Sequence, residues 1–305
     1  MANPKAALIA VKSPLAEPAP EPGPLPVVVY AASSELMHPW HLVMELFRDI
    51  VRGRELGWRL FLRNLQSQYR QTLLGYFWAI MPPLITTLVW VGLQSLKVVK
   101  FSAEPGVPYA AYVLTGTILW QTFLNSLNSP LTSIEGAKDM LAKLNFPREA
   151  LLLAGFGQML FNLLIQLALL ALLLLVMRVP LPSTAPLFFV GLMMLVALGH
   201  GIGLLITPLG LLYTDIPKAI QAFAPFVMLL TPVLYAPPTE GRLVLLNYMN
   251  PVAPVLVVTR DWLLTGRTDF LAGFLVYSFL GVVATLLGLI LVRIAMPFLI
   301  ERMGS

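Results

Sequence analysis

The sequence I-E-G-A-K-D-M-L-A-K-L-N-F-P-R-E, residues 134–149, separates two long apolar runs. The runs cover residues 109–131 and 150–177, and each is long enough to cross a bilayer as a helix. The stretch between them carries three acidic and three basic residues, so it is not a basic strip attracted simply to anionic lipid. We therefore expect this stretch to lie in water against another protein.

The composition of the whole chain is that of an integral membrane protein. Hydrophobic residues make up 58% of the 305 residues and charged residues only 11%, which lies outside the range of ordinary soluble domains. The absence of cysteine excludes a disulfide framework and a cysteine metal site, and three histidines predict no metal cluster. Most basic residues flank apolar runs, where they set orientation, so the net charge of +5 does not predict a nucleic-acid partner.

The part of the chain before the first apolar run has two different patterns. Residues 1–39 are rich in proline and alanine, which predicts a mobile arm; a signal peptide is the competing interpretation. Residues 40–74 show helical spacing of apolar residues with a break at Gly53, and arginines lie largely opposite the apolar face of the second piece. That face comprises Trp58, Phe61, Leu62, Leu65 and Tyr69. The pattern favours helices in the membrane interface, with packing on a cytoplasmic partner as the alternative.

Six apolar runs in residues 75–305 predict six transmembrane helices, and the fold class is all-α integral membrane. The runs cover residues 75–96, 109–131, 150–177, 187–212, 219–234 and 270–292. Pro82 and Pro83 should kink or restart the first helix. Residues 235–269 are too short and too broken by proline to span, which predicts two short re-entrant or interfacial helices joined at Asn250 and Pro251.

Polar residues occur within several of these runs. Two stripes at helical spacing are Gln121, Asn125 and Asn128 in the second run, and Gln158, Asn162 and Gln166 in the third. Amides in a membrane usually bond a neighbouring helix, and a translocation path is the alternative. The fourth run contains five glycines, which favour close helix packing, and His200, which we interpret as a hydrogen-bonded packing histidine.

Basic residues predict the orientation of the chain. Fourteen of the twenty Lys and Arg residues lie in the N-terminal part, in residues 134–149, in the turn at 214–218 and in the C-terminal tail. Positively charged loops favour the cytoplasm, so both termini and residues 134–149 are predicted to be cytoplasmic. Residues 235–269 are then predicted to face outward.

The sequence lacks the motifs of several enzyme and transporter classes. It contains no G-x-x-x-x-G-K-[ST] run, no paired histidines at metal-ligand spacing and no G-x-S-x-G. The six runs also lack the acidic and basic residues that ion-coupled transporters use. Uphill transport by this chain would therefore need energy from another subunit, in agreement with a stretch suited to a protein partner.

Several short motifs resemble one family of membrane proteins. They are Q-Y-R-Q-T-L-L-G (68–75), W-A-I-M-P-P-L (78–84), P-Y (108–109) leading through Gly116 to Trp120 and Phe123, K-L-N-F-P-R-E (143–149), P-V-L-Y (232–235) and L-N-Y-M-N-P (246–251) followed by Arg260. In this order, from about Glu55 to the end, the chain resembles the permease subunit of ABC-2-type polysaccharide exporters, which move lipid-linked O-antigen, capsule or teichoic acid chains. The pair Thr214 and Asp215 departs from the Arg-Asp pair that this family often has.

The resemblance implies a homodimer in the cytoplasmic (inner) membrane of a bacterium, paired with two copies of a separate ATPase subunit that would hold ATP and magnesium. Residues 134–149 would be the coupling helix and residues 235–269 an outward gate. Expected ATPase-coupling residues are Glu135, Lys138, Lys143, Phe146, Pro147, Arg148 and Glu149.

The resemblance also implies aromatic side chains along a sugar path. The candidates are Tyr76, Trp78, Trp90, Trp120, Phe123 and Tyr235, which would serve equally as interfacial anchors. By position and charge, Arg59, Arg63 and Arg70 are candidates for the lipid phosphate of the substrate, with ordinary headgroup contact as the alternative.

Three other functions stay open at this point. An ABC-2-type exporter of drugs or small lipids would share the architecture. A membrane-embedded glycosyl- or acyltransferase would have to use Asp215, Asp261 or Asp269, which share no motif. A structural scaffold would leave the balanced charges of residues 134–149 unexplained. We therefore predict a transport subunit and not an enzyme.

Overall fold

A computed structural model describes residues 39–70, 75–99, 101, 103–138, 141, 148–237 and 242–303. Every regular element in these ranges is helical, which confirms the all-α class. The predicted arm lies outside the described residues except for Pro39, which begins the first helix. The helices are α1 (Pro39–Arg70), α2 (Met81–Ser95), α3 (Tyr109–Glu135), α4 (Arg148–Val176), α5 (Leu187–Leu212), α6 (Asp215–Leu230), α7 (Arg242–Met249), α8 (Val252–Leu264) and α9 (Leu271–Met303), with a 3₁₀ turn at Gly75–Ala79 before α2.

Helix α1 is continuous, so the predicted break at Gly53 is wrong. Gly53 and Gly57 instead allow α1 to lie against the start of α4, where a Cβ at Gly57 would come within 3.0 Å of the Leu153 Cβ. Packing against α4 offsets the roughly 1 kcal/mol that a glycine costs inside a helix. The buried seam continues through Leu60 and Phe61.

The predicted apolar face of α1 is also only partly correct. Phe61 is 7% exposed, whereas Trp58 is 60% exposed and Leu62 is 37% exposed. Positions 53, 57, 60 and 61 follow one another at helical spacing, and the small residues among them decide which face packs. Trp58 and Leu62 therefore remain on the outer side of α1 in this chain.

Three of the described helices are long and apolar enough to cross a membrane: α4, α5 and residues Leu271–Leu299 of α9. The first and fifth predicted spans are shorter than expected, because α2 has 15 residues and α6 has 16, against about 20 for a bilayer crossing. Helix α2 starts beside Pro82 and Pro83, as predicted, since a proline is tolerated in a first turn but not in a helix interior. The count of six spans stays a prediction.

Helix α5 packs between α3 and α9, and its glycines allow the close approach that the sequence predicted. A Cβ at Gly203 would collide with the Leu127 carbonyl oxygen of α3, and a Cβ at Gly201 would lie 2.8 Å from the Gly281 carbonyl oxygen of α9. His200 is buried here, with its ring edge-on to Phe156 at a centroid distance of 5.3 Å. This is a packing position, although His200 Nδ1 has no hydrogen-bond partner among the described residues.

Helices α7 and α8 are two short helices that separate at Asn250 and Pro251, where the sequence predicted a junction. The Asn250 Oδ1 atom accepts a hydrogen bond from the Val252 N–H at 3.0 Å, and Asn250 Nδ2 donates to Thr231 Oγ1 at 2.8 Å. All 13 residues of α8 are buried, although the helix is too short to span a bilayer. Its depth relative to a membrane stays a prediction.

Candidate functional site

A cleft of about 500 Å³ opens between α1, α3 and α4, and we call it the polar cleft. It is lined by Arg63, Asn64, Asn125, Asn128, Ser129, Thr132, Ser133, Gly136, Ala137, Leu151, Gly155, Gln158, Met159 and Asn162. Two members of each predicted polar stripe therefore lie in one cavity. The outer members do not: Gln121 is absent from the lining, and Gln166 Nε2 donates to the Ala79 carbonyl at 3.1 Å.

Small residues create the space that the amides line. Helix α4 approaches α3 at Gly155, where a Cβ would collide with Ser133 Oγ. Thr132 and Ser133 donate to carbonyl oxygens of the preceding turn of α3, those of Asn128 and Ser129. Ser129 Oγ is buried and has no hydrogen-bond partner in the described part of the chain. Small residues of α3 and α4 therefore leave a cleft whose wall combines hydroxyls and amides with the apolar side chains of Leu151 and Met159.

One charged side chain occurs among the described residues that line the polar cleft, and its position separates Arg63 from Arg59. Arg63 is the sole ionisable residue among the described residues of the lining. Arg59 is paired with Glu55 at 2.6 Å on the surface, where both side chains are largely exposed. The side chain of Arg70 lies outside the described residues. Of the two predicted arginines whose side chains are described, the structure brings Arg63 to the cleft.

The stretch at 134–149 joins the fold at both ends. Ile134, Ala137 and Leu141 are buried, and Glu135 forms an ion pair with Lys138 at 3.9 Å. Glu149 lies in the first turn of α4, where the helix dipole favours an acidic residue. The predicted coupling residues Lys143, Phe146 and Pro147 lie outside the described residues.

Arg148, at the end of this stretch, contacts the last helix. Its Nη1 atom donates to the carbonyl oxygen of Arg293 in α9 at 3.2 Å. The side chain of Arg293, itself 14% exposed, forms ion pairs with Glu45 at 3.1 Å and Asp49 at 3.2 Å in α1. Arg148, α9 and α1 are therefore linked by consecutive polar contacts.

The six aromatic candidates lie in three places. Trp90 and Tyr235 are joined through Phe101, with ring centroids 5.6 and 5.5 Å apart. Trp120 and Phe123 form a ring pair at 5.6 Å in the core of the chain, and are 2% and 5% exposed. Tyr76 and Trp78 are exposed beside the start of α2. Phe101 was not predicted, because it lies in a connection without readable periodicity.

Arg260 is a further polar centre that the sequence did not single out as a site residue. It is fully buried, and its Nη1 atom donates to the carbonyl oxygens of Pro232 at 2.8 Å and Val233 at 3.1 Å. Its guanidinium carbon lies 3.8 Å from the ring centroid of Tyr112, a cation–π contact. Burial raises the pKa of the adjacent Asp261 carboxyl to about 6, with the charge of Arg260 acting in the opposite direction. An arginine inside an apolar segment was the available signal, since such residues are buried only when partnered.

The three described helices that are long and apolar enough to cross a bilayer indicate a multi-pass helical membrane protein. No family model matches the chain. The chain is similar to the O-antigen export system permease protein RfbA of Klebsiella pneumoniae, with 24% identity over 234 residues, which cover 74% of this chain and 86% of that protein. A second Klebsiella pneumoniae protein of the same name has the same identity and coverage.

A protein of this name from Myxococcus xanthus is 30% identical over 109 residues, 36% of this chain and 40% of that protein. All three relatives are named as permeases. These similarities confirm the resemblance to ABC-2-type polysaccharide-exporter permeases that the motifs indicated.

Proposed function

We propose that this chain is the membrane permease of an ABC exporter that moves a lipid-linked polysaccharide across the bacterial cytoplasmic membrane. The observation that carries the proposal is the similarity to the Klebsiella pneumoniae O-antigen export permease, which extends over 86% of that protein. The names of the relatives favour a polysaccharide over the drug or small lipid that the same architecture could move.

Energy for export comes from a separate ATPase subunit in this proposal, because the sequence contains no phosphate-binding loop. Two permease chains and two ATPase subunits form the exporter, and the ATPase subunits hold ATP and magnesium. The permease has six spans and cytoplasmic termini. The stretch at 134–149 is the coupling helix, and residues 235–269 form the outward gate.

The contacts of Arg148 suggest how movement of the ATPase reaches the membrane helices. A displacement of residues 134–149 first moves Arg148, which donates a hydrogen bond to the Arg293 carbonyl oxygen in α9. The movement of Arg293 is then transmitted through its ion pairs with Glu45 and Asp49, so that α1 moves together with α9. In this proposal, coupling from Arg148 onward passes through these polar contacts to α9 and α1.

The substrate passes the candidate residues in a fixed order in this proposal. Arg63 receives the lipid phosphate, with Arg59 and Arg70 on the same helix. Sugar rings then stack weakly on exposed aromatic faces such as Tyr76 and Trp78, and later on Trp90 and Tyr235. Trp120 and Phe123 are buried, so they meet the substrate only when α3 moves.

Co-purification with the ATPase tests the coupling step. We expect the ATPase encoded with this chain to remain bound in detergent to the wild type, and to dissociate from Lys143→Ala/Phe146→Ala. Arg148 is left unchanged because it also contacts α9. The matched control is Lys97→Ala/Val98→Ala, in the connection on the opposite predicted side. Equal retention of the ATPase by all three proteins would contradict the assignment of the coupling helix.

Loss of the gene tests the substrate. We expect an undelivered lipid-linked glycan to accumulate inside the cell and to disappear from the surface. An unchanged amount of surface glycan would favour the exporter of drugs or small lipids instead.

A further inference from the structure

An apolar groove of about 610 Å³ lies between the last turns of α4 and the first turn of α5, and we call it the outer groove. Its α4 wall runs from Leu167 to Leu175, Phe188 and Phe189 line it from α5, and Leu263 of α8 completes it. Leu175 is 75% exposed and Phe189 is 61% exposed, so the groove opens to the outside of the helix bundle. In a membrane protein, acyl chains cover an apolar surface of this kind.

The outer groove has about the depth of one leaflet of a bilayer. From Leu167 to Arg178 it follows α4 for about 16 Å, at a rise of about 1.5 Å per residue, and the hydrocarbon core of a bilayer is about 30 Å thick. Helix α4 is long and apolar enough to cross that core, and Arg178 lies just beyond its end. The length of the groove therefore suits one acyl chain of one leaflet, with the lipid headgroup at Arg178.

Arg178 gives the outer groove a charge at its headgroup end. It is the one ionisable residue among the described residues that line the groove. The side chain is exposed, and its guanidinium has no ion pair or hydrogen bond with the part of the chain that the structure describes. Because a guanidinium binds phosphate oxygens through two parallel N–H groups, the groove complements an acyl chain that ends in a phosphate.

The backbone at Arg178 would suit glycine better than arginine. Its φ of 51° is left-handed, and the Val179 N–H donates to the Leu174 carbonyl oxygen at 3.1 Å, which is the helix end that glycine usually forms. A side chain in this conformation costs free energy that glycine avoids. The helix dipole favours a cation near this end, but a position in the last turn of α4 would provide one without strain. The end of α4 alone therefore does not explain this arginine.

We propose that the outer groove binds one anionic phospholipid, with an acyl chain along α4 and α5 and the phosphate on Arg178. A headgroup with a net negative charge is favoured, because the described lining contributes a cation and no carboxylate. The site goes beyond the proposed function and does not depend on which substrate the chain moves. In the proposed topology, this lipid lies in the outer leaflet.

A lipid in the outer groove also contacts α8. Leu263 of α8 lines the groove, and Thr184, in the connection between α4 and α5, donates through its Oγ1 atom to the Trp262 carbonyl oxygen at 2.9 Å. The bound lipid thus joins α4, α5 and the end of α8. Since a ligand that binds only the folded state stabilises it, phosphatidylglycerol should raise the unfolding temperature of the chain.

Native mass spectrometry of the full-length chain with its ATPase, titrated with phospholipid in detergent, tests the phosphate contact. We expect the wild type to retain one phosphatidylglycerol per chain more tightly than phosphatidylcholine. Arg178→Gly should weaken phosphatidylglycerol about tenfold without lowering the unfolding temperature in lipid-free detergent, because glycine suits this backbone. Lys97→Gly is the matched control and should not change binding, since Lys97 has a φ of 58° at the end of α2 but does not line the groove.

A second pair of variants tests the acyl-chain part of the outer groove. Ala171 lines the groove, so Ala171→Phe places a large side chain in the space for the acyl chain. This variant should weaken phosphatidylglycerol and phosphatidylcholine alike. Leu172→Phe is its control, because Leu172 is exposed on the same helix but is absent from the lining.

Four binding results would overturn the proposal. They are equal binding of the two phospholipids by the wild type, equal weakening by Arg178→Gly and Lys97→Gly, equal weakening by Ala171→Phe and Leu172→Phe, and displacement of phosphatidylglycerol by an equal amount of undecaprenyl phosphate. The last result would assign the groove to the lipid carrier of a glycan. Dissociation of a dimer by Ala171→Phe, with lipid binding unchanged, would also overturn the proposal and make the groove an interface between two copies of the chain. These measurements involve no glycan, so the lipid site can fail while the proposed function stands.

Discussion

Arg260 shows how one residue can fix the position of a distant turn. Its guanidinium satisfies two backbone carbonyls, those of Pro232 and Val233, that would otherwise be buried without a donor, and it stacks on Tyr112. Hydrogen bonds from a charged donor stabilise by about 1.5–3 kcal/mol each. The turn between α6 and α7 therefore depends on a side chain from α8.

We predict that Arg260→Met lowers the free energy of unfolding by about 2–4 kcal/mol, because two carbonyls lose their charged donor. The matched control is Arg267→Gln, which breaks the ion pair to Glu104 at 2.7 Å. The Arg267 side chain is 53% exposed and that of Glu104 is 15% exposed, and an ion pair with one partner in solvent contributes about 1 kcal/mol. Thermal unfolding of the detergent-solubilised protein measures both changes, and equal losses for the two variants would contradict the role of Arg260.

Residue-scale features were predictable where they depend on local chemistry. The packing position of His200 and the small residues of α5 follow from single residues in an apolar run. The partners of Arg260 did not follow, because they lie 27 and 28 residues away and are backbone atoms. The pairing of Trp90 with Tyr235 through Phe101 likewise depends on how a connection folds.

At the scale of elements, helix faces were predictable and helix contacts were not. The two amide stripes follow from four-residue spacing, but their meeting in one cleft depends on the close approach of α4 at Gly155. Gly53 was interpreted as a break, whereas it belongs to a docking seam on α1. Glycine occurs both in turns and where helices pack closely. The four-residue spacing of Gly53 and Gly57 is the signal that indicates a packed helix face rather than a break.

We predict that Gly57→Val separates α1 from α4, because a Cβ there already approaches the Ala150 carbonyl oxygen to 3.2 Å. The natural sequence has no cysteine, so a single Leu60→Cys reports the contact. Leu60 is 5% exposed, and its maleimide labelling should be slow and should accelerate with Gly57→Val. Gly92→Val is the control, since a Cβ at Gly92 meets nothing within 4 Å. Equal labelling rates of Leu60→Cys with Gly57→Val and with Gly92→Val would show that α1 does not dock through this seam.

For the whole molecule, the all-α class and the membrane setting followed from composition and apolar run length. The number of membrane spans follows less directly from the sequence. Helices α2 and α6 are shorter than a bilayer crossing, and only three of the described helices are long and apolar enough to span a membrane. Orientation depends on where charged residues lie relative to a membrane, which a helix bundle alone does not specify.

We predict that a membrane-impermeant maleimide labels Thr268→Cys in intact spheroplasts and labels Glu135→Cys only after the membrane is permeabilised. Both positions are exposed in the isolated chain, so in cells that lack the ATPase subunit their accessibility differs only by side of the membrane. The positive-inside distribution of Lys and Arg is the physical reason. Labelling of Glu135→Cys in intact spheroplasts would reverse the proposed topology.

The most direct measurement of export uses inverted inner-membrane vesicles, in which the cytoplasmic face is exposed to added glycosidase. With this chain and its ATPase present, ATP should move lipid-linked glycan into the lumen and raise the fraction protected from the enzyme. Vesicles that lack the chain, or that contain a hydrolysis-deficient ATPase, should show no such rise. Protection that appears without this chain, or that ATP does not change in its presence, would contradict the proposal that it is the permease of a polysaccharide exporter.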